Sequence, residues 1–290
     1  MIEILAPGPL SVVQDLGRPG LASLGVGPSG AADVASLRLG NRLVGNGEDA
    51  AGVEVTFGGL AVRCLAPATV ALTGAPCDAN VDGRAVHMNS PVHIGTGATL
   101  RFGTPTSGLR SYLAVRGGID VPLVLGSRST DVLAGIGPPA LAAGQRLPIG
   151  PPPPRWPLVD HAPTASLPAQ PVLHLLPGPR LEWFDDTALD TLAAAPYEVS
   201  AQSNRTALRL LGEPVRRAVL DELPSEGLVV GAIQIPPDGR PVLFLADHPV
   251  TGGYPVVAVV RDCEVPLAAQ LRPGQSVRFS VAVKSRRPDL

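Results

Sequence analysis

The chain has 290 residues, of which 45% are hydrophobic and 17% charged, and its formal net charge is −2 at pH 7. This balance predicts no nucleic-acid surface and no anionic-membrane surface, and no apolar run reaches the roughly 18 residues that cross a bilayer. The N-terminal sequence lacks the basic start and long apolar core of a secretory signal, so we expect a cytoplasmic protein.

Cysteine and lysine usage excludes several kinds of chemistry. The three cysteines have no C-x-x-C spacing, which argues against a disulfide framework and a structural zinc site, and we predict no bound metal. The only lysine is Lys284, so this chain offers little for a Schiff base, a P-loop or an internal biotinyl-lysine.

The order of short apolar runs predicts an all-β fold. Glycine and proline contribute 33 residues each and separate runs rich in Val, Leu, Ile and Ala. Tight hairpin turns are predicted at Asp82-Gly83 and Asp238-Gly239. The predicted strands are 2–5, 53–57, 60–65, 68–73, 99–102, 111–115, 172–176, 228–235, 241–246, 255–260 and 276–283.

Two helices are predicted. Residues 29–46 place apolar side chains broadly on one side, with Ser29 as the candidate N-cap. Residues 179–195 are rich in alanine and leucine, and Pro196 supplies the stop. The fold class is therefore all-β with a few short helices.

A proline-rich segment divides the chain. Residues 151–171 favour an extended polyproline conformation and are predicted to be a linker. We predict an N-terminal β-barrel domain with one helix over 1–150 and a C-terminal β-barrel domain over 172–290. Terminal segments of such a fold can return to the other barrel.

The first polar constellation is the glycine-rich loop 12–33, which carries Asp15, Arg18, Ser29 and Asp33 ahead of the first helix. Backbone amides at a helix N-terminus attract carboxylate or phosphate oxygens, which predicts an anion site. The alternative is structural: Ser29 and Asp33 cap the helix, and Asp15 pairs with Arg18 on the surface.

The second constellation follows the strand at 111–115. Arg116 precedes a Gly-Gly pair, and the segment Ser127-Arg128-Ser129-Thr130-Asp131 ends the next apolar run. An arginine flanked by hydroxyls suits recognition of a carboxylate or phosphate through Arg128, with Asp131 beside it. The alternative is a solvated turn.

The third constellation spans 203–255, where polar residues alternate with apolar ones and therefore either line a cavity or need internal partners. The hairpin end near Gly252-Gly253 permits close approach of a ligand, and Asp247 supplies a fixed charge. His248 is expected on the surface, since neighbours on a strand face opposite sides. The candidate residues are Asn204, Arg205, Glu226, Gln234, Asp247, Thr251 and Tyr254.

Several separated motifs together resemble one known family. They are QDLGRPG, GVGPSGAAD, LGNRLVGN, YLAVRGGIDVP, VLGSRSTD, SNR, SEGLVVGAIQIPPDGRP and LADHPVTGGYP, and they occur in the family's order. The family is that of the 5-oxoprolinase C subunit, also called biotin-dependent carboxyltransferase or allophanate hydrolase subunit 2.

The resemblance implies two cyclophilin-like β-barrel domains and an enzyme subunit that is inactive alone and needs partners. With a B-type subunit (allophanate hydrolase subunit 1-like) and ATP with magnesium, such a chain activates 5-oxo-L-proline by phosphorylation. An A-type subunit (LamB/YcsF-like) then completes hydrolysis to L-glutamate. Two alternatives stay open: the carboxyltransferase half of a biotin-dependent urea or amide carboxylase, with biotin on another protein, and a regulatory module that binds a kinase inhibitor.

The resemblance also implies binding roles for the three constellations. A site for 5-oxoproline needs a cation for the carboxylate and donors for the lactam oxygen. Arg128 or Arg205 suits the carboxylate, and Asp247 or Glu226 suits the lactam N–H or a nucleotide-bound magnesium. We therefore expect catalytic roles for Asp247, Glu226 and Arg128. Substrate-binding roles are expected for Asp15, Arg18, Ser29, Asp33, Asp131, Asn204, Arg205, Gln234, Thr251 and Tyr254.

Overall fold

The chain forms two compact units in the computed structural model, which describes residues 1–157, 159–163 and 167–281. The units are Met1–Leu167 and Pro168–Leu290. Much of the segment predicted as a linker belongs to the first unit, because Arg116 donates hydrogen bonds to the carbonyls of Pro153 and Arg155. Lys284 and the last two residues of the predicted strand 276–283 lie outside the described residues.

The first unit contains eleven strands and one α-helix in its described residues. The helix α1 is Val34–Leu43. The strands are β1 (Ile2–Pro7), β2 (Leu10–Gln14), β3 (Gly52–Thr56), β4 (Leu60–Cys64), β5 (Ala68–Gly74), β6 (Cys77–Val81), β7 (Arg84–Val86), β8 (Pro91–Ile94), β9 (Thr99–Pro105), β10 (Arg110–Val115) and β11 (Arg146–Leu147).

These strands form two sheets over a shared core. One sheet has the order β11-β1-β4-β9-β6-β7 and the other β2-β3-β10-β5-β8. Ile4 and Val62 of the first sheet belong to the same buried cluster as Val55, Leu72 and Leu113 of the second. Burial of this apolar surface is the main source of stability, because each such side chain contributes about 1.5–3 kcal/mol.

The second unit contains nine strands and two short α-helices in its described residues. The helices are α2 (Ala188–Ala194) and α3 (Val265–Ala268). The strands are β12 (Val172–Pro177), β13 (Tyr197–Val199), β14 (Ala207–Leu211), β15 (Glu226–Gly227), β16 (Ala232–Gln234), β17 (Val242–Phe244), β18 (Thr251–Gly252), β19 (Val256–Val260) and β20 (Ser276–Val281).

Seven of these strands close a barrel in the order β12-β19-β16-β17-β14-β13-β20. The closing pair is parallel, with Leu173 opposite Phe279, and β20 also pairs antiparallel with β13. A separate ribbon joins β15 to β18, with Glu226 opposite Gly252. The predicted all-β class is therefore confirmed, and the closed barrel lies in the second unit.

Some predicted local features need correction. The turn Asp82-Gly83 is a tight primed turn, with φ of 50° and 81°. At Asp238-Gly239 only the glycine has positive φ, and β16 and β17 are joined by a longer loop instead. The second predicted helix is shorter, consisting of a 3-10 turn at Leu181–Trp183 followed by α2.

None of the helices in the described ranges is long and apolar enough to cross a membrane. Within the same ranges, no three His, Cys, Asp or Glu side chains lie close enough together to hold a metal ion.

Candidate functional site

Asp15 is the centre of a buried polar cluster in the first unit, which we call the Asp15 cluster (Gln14, Asp15, Arg18, Ser29 and 127–131). It follows β2, and its carboxylate accepts hydrogen bonds from the hydroxyls of Ser127 and Ser129 at 2.6 and 2.5 Å. The backbone N–H groups of Gly17 and Arg128 donate to the same carboxylate at 2.8 and 2.6 Å. Asp15 thus fixes the 127–129 loop against the end of β2.

Arg18 lies in the same cluster and is 3% exposed. Its Nε donates to Val124 O at 3.4 Å, and its Nη2 donates to Ser129 O. The alternative of an Asp15–Arg18 pair on the surface is therefore wrong, because both side chains are buried and bind the 124–129 segment. Within the described residues, Arg18 Nη1 and Gln14 Oε1 are buried without a hydrogen-bond partner. The cluster thus retains one donor and one acceptor for a ligand or water.

Ser29 and Asp33 have different roles from each other. Asp33 is the N-cap of α1, and its carboxylate accepts from Ser36 N at 3.0 Å, so that cap is confirmed. Ser29 is not the N-cap. It has φ of 51°, and its hydroxyl donates to Thr130 O at 3.1 Å, which places it in the Asp15 cluster.

Arg128 and Asp131 complete the first-unit candidates. Arg128 donates from Nε to Val121 O at 2.8 Å and from Nη2 to Asp120 Oδ1 at 2.5 Å. Its side chain is 30% exposed, so it can reach a ligand while it is held by these contacts. Asp131 Oδ1 accepts from the backbone N–H groups of Leu133 and Ala134 at 3.0 and 2.9 Å, which stabilises the next turn.

A buried ion pair anchors the candidates of the second unit. Arg205 Nε donates to Asp247 Oδ2 at 2.8 Å, and Nη2 donates to Oδ1 at 3.0 Å. The side chains are 2% and 0% exposed. A two-point contact of this kind fixes both groups, because the planar guanidinium matches the carboxylate.

The residue that follows Asp247 is also buried. His248 is 5% exposed and contacts Pro249 O through Nδ1 at 2.8 Å, so the expectation of a surface histidine is wrong. The expectation assumed a continuing strand, whereas β17 ends at Phe244 and both residues lie in the following turn.

Gly252, the first glycine of the pair near the hairpin end, packs closely on Gln234. Gln234 Nε2 donates to Tyr254 O at 2.7 Å. A Cβ at Gly252 would lie 2.6 Å from that same nitrogen, so a larger residue there would have to displace the Gln234 amide. Thr251 and Tyr254 are exposed beside this contact, Tyr254 at 44%.

Glu226 and Asn204 complete the second-unit candidates. Arg180 binds Glu226, with Nε 3.0 Å from both carboxylate oxygens. This pairing lowers the pKa of Glu226 and keeps it ionised. Asn204 Oδ1 accepts from Thr206 N at 2.8 Å and from Ala207 N at 3.3 Å, which forms a turn ahead of β14.

Sequence reasoning missed a buried polar network under α1. Glu54 Oε2 accepts from Tyr112 Oη at 2.8 Å and from Ala32 N at 2.9 Å, while Arg110 Nε lies 3.4 Å from Glu54 Oε1. Burial and the nearby Glu54 charge raise the pKa of Tyr112 well above its ordinary value. The available signal was a glutamate within the apolar strand VEVTF.

The chain is similar to known proteins over most of its length. Residues 24–281 match the family model for the carboxyltransferase domain, subdomain A and B. The C subunit of 5-oxoprolinase from Escherichia coli (strain K12) is 39% identical over 290 residues, covering 96% of this chain and 90% of that protein. Urea amidolyase of Lachancea kluyveri is 32% identical over 307 residues, covering 96% of this chain and 17% of that protein.

The solved structure of TTHA0988 is similar over 96% of this chain, with a TM-score of 0.89 and 36% identity. The match covers 55% of that chain, so the present chain spans about half the length of TTHA0988. The predicted resemblance is confirmed by these matches, which agree in fold and extend over nearly every residue. The chain belongs to the family of carboxyltransferase domains built from subdomains A and B.

Proposed function

We propose that this chain is the C-type subunit of an ATP-dependent 5-oxoprolinase, active in the cytoplasm with a B-type and an A-type partner. The observation that carries the proposal is the 39% identity with the E. coli 5-oxoprolinase C subunit, which extends over 90% of that protein. With the B-type partner the chain would activate 5-oxo-L-proline by phosphorylation. The A-type partner would complete hydrolysis to L-glutamate.

The substrate carboxylate needs a cation that it can reach. Arg205 already has Nε and Nη2 bound to Asp247, and its side chain is 2% exposed. Arg128 is 30% exposed, and Arg18 has a buried Nη1 without a partner in the described residues. Arg128 therefore suits the carboxylate better than Arg18 or Arg205, because both of those side chains are buried.

A nucleotide-bound magnesium needs accessible oxygen ligands. Asp247 fits poorly, since both of its oxygens contact Arg205 and its side chain is fully buried. Glu226 also has both oxygens in contact with an arginine, Arg180, but its side chain is 32% exposed, so a magnesium ion could approach it from solvent. ATP would supply the phosphoryl group when bound, and within the second unit Glu226 is the candidate carboxylate for its magnesium.

The test is ATP-dependent glutamate release from 5-oxo-L-proline by the chain mixed with its B-type and A-type partners, omitting each in turn. We expect glutamate only from the complete mixture with ATP. Glutamate production that persists without this chain would overturn the proposal. So would an assembled mixture that produces none.

A second candidate function is the carboxyltransferase half of a biotin-dependent urea or amide carboxylase. It is favoured by the name of the matching family model and by the 32% identity with urea amidolyase. Biotin would arrive on another protein. The discriminating measurement is the transfer of a labelled carboxyl group from a carboxylated biotin carrier protein to urea by the assembled mixture. ATP-dependent glutamate release is measured in parallel on the same mixture.

A further inference from the structure

A cavity of about 440 Å³ lies within the first unit and shares no lining residue with the Asp15 cluster. Its volume is in the range of small-molecule sites, about 300–1,000 Å³. Much of its wall is apolar, including Pro67, Ile94 and Ile149, and no acidic residue lines it. The polar and aromatic part of the wall consists of Thr69, His93, Arg116 and Trp156.

Arg116 brings a buried positive charge to this cavity. It is 8% exposed, and its Nη1 donates to Val44 O at 2.7 Å. Its Nη2 donates to the carbonyls of Pro153 and Arg155, the latter at 2.9 Å. These acceptors are neutral, and the described part of the chain places no carboxylate within ion-pair distance. Buried charges are normally paired, so this guanidinium favours an anion.

Trp156 forms a planar apolar surface next to that charge. The guanidinium carbon of Arg116 lies 3.9 Å from the centre of the indole, and the ring of His93 meets the indole edge-on at 5.7 Å. His93 is itself held by Thr69, whose hydroxyl lies 2.9 Å from Nδ1. Trp156 nevertheless remains 57% exposed, which leaves ring surface for a second planar group.

We propose that this cavity binds a small organic anion in which a carboxylate is attached to a planar ring. The carboxylate lies towards Arg116 and His93, and the ring lies against Trp156 and the apolar wall. Both halves of the site contribute, because the cation has no carboxylate within ion-pair distance in the described residues and Trp156 keeps exposed ring surface beside the guanidinium. The inference is independent of the proposed function, since it concerns a site on this chain by itself.

The competing explanation is purely structural. Arg116 would then serve only to fasten residues 153–156 to the end of β10, and the cavity would bind nothing. Only the first explanation predicts that the cavity binds a ligand. Comparing an anionic ligand with a neutral ligand of the same shape shows whether binding depends on the negative charge or only on burial of the apolar ring.

The test uses the full chain with Trp183→Phe, which leaves Trp156 as the only tryptophan. Benzoate is titrated while Trp156 fluorescence is followed, and benzamide serves as the neutral control of equal shape. We expect saturable binding of benzoate and binding of benzamide weaker by about tenfold or more, because the contact to a charged group is lost. Equal affinity for the two probes would overturn the proposal, as would no benzoate saturation below about 10 mM.

Two variants locate the site. Arg116→Gln is expected to weaken benzoate by about tenfold or more while leaving benzamide unchanged. Trp156→Leu, measured by calorimetry, should weaken both probes. If Arg116→Gln fails to fold, the affinities of benzoate and benzamide for the chain that keeps Arg116 still show whether the cavity selects the anion. Undiminished benzoate binding in a folded Arg116→Gln chain would contradict the assignment.

Discussion

Arg205 and Asp247 are 42 residues apart in sequence and form a two-point ion pair with side chains only 2% and 0% exposed. A backbone hydrogen bond also joins the two residues, since Asp247 N donates to Arg205 O at 3.1 Å. The pair therefore joins the turn before β14 to the loop after β17. Loss of either partner leaves a buried charge without its counter-ion.

Substitution of Asp247 by Ala should lower the free energy of unfolding of the second unit by about 3–5 kcal/mol. The double variant Arg205→Met with Asp247→Ala should be less destabilised than the sum of the single variants, because no charge is left unpaired. Unfolding in urea can be followed by Trp183 fluorescence in a Trp156→Phe background.

Glu182→Ala is the matched control for this cycle. It removes an exposed carboxylate 3.3 Å from Arg180 in the same unit and should cost less than about 1 kcal/mol. An Asp247→Ala chain as stable as this control would show that the buried pair contributes little.

Asp15→Asn tests the Asp15 cluster. In the unsubstituted protein the Ser127 and Ser129 hydroxyls donate to the Asp15 carboxylate. The asparagine amide removes the negative charge and directs N–H groups at these hydroxyls. We expect the first unit to lose about 1.5–3 kcal/mol of unfolding free energy, measured by Trp156 fluorescence in a Trp183→Phe background. Asp160→Asn, at an exposed position of the same unit, is the control and should unfold like the unsubstituted chain.

Tyr197 predicts a dependence of stability on alkaline pH. Burial, with Glu213 nearby, raises the pKa of Tyr197 from 10.0 to about 12. The folded state therefore holds this proton more tightly than the unfolded state, so the stabilisation is complete below pH 10 and is lost as the pH rises through about 12. Urea unfolding between pH 8 and pH 12 should show a shallower decline for Tyr197→Phe than for the unsubstituted chain. Parallel curves would refute the assignment.

Exposed apolar side chains predict where a partner protein binds. Leu123, Leu125 and Leu133 of the first unit are 56%, 51% and 53% exposed. Obligate interfaces are rich in such residues, and TTHA0988 carries additional chain beyond the part that matches here. The triple substitution to Ser should reduce co-purification with the B-type partner by about tenfold or more without changing the stability of the isolated chain.

The control for the partner prediction is Leu220→Ser, since Leu220 is 82% exposed and lies in the other unit. It should leave assembly unchanged. Full assembly of the triple variant would place the partner surface elsewhere.

The strands that sequence predicted best are long and apolar on both faces. Each of the eleven predicted segments overlaps an observed strand, because continuous Val, Leu and Ile runs are typical of strands buried in two-sheet or barrel cores. The missed strands include β6 and β7, whose residues Cys77–Val81 and Arg84–Val86 are mostly polar or small and only partly buried. Their pairing depends on the turn at Asp82-Gly83 and on the neighbouring strand β9.

The sequence could predict which residues belong to the candidate sites, but not which of these residues contact each other. The sequence places Asp15 and Ser129 114 positions apart, and only the fold brings the hydroxyl to the carboxylate. Similarly, Ser29 resembles an N-cap in sequence, yet α1 begins at Val34 and Asp33 is its cap. The action of these residues on 5-oxoproline stays a prediction for the experiments above.

The parallel pairing of β12 with β20 has a consequence for biosynthesis. β12 is the first strand of the second unit and begins at Val172, but its partner β20 ends at Val281, so roughly a hundred residues must be made before the barrel can close. During translation the edges of β12 and β13 that β20 later covers present unpaired backbone groups. The nascent second unit is therefore open to misassociation on the ribosome until its last strand emerges, and a chaperone that binds extended apolar segments should engage it during that interval.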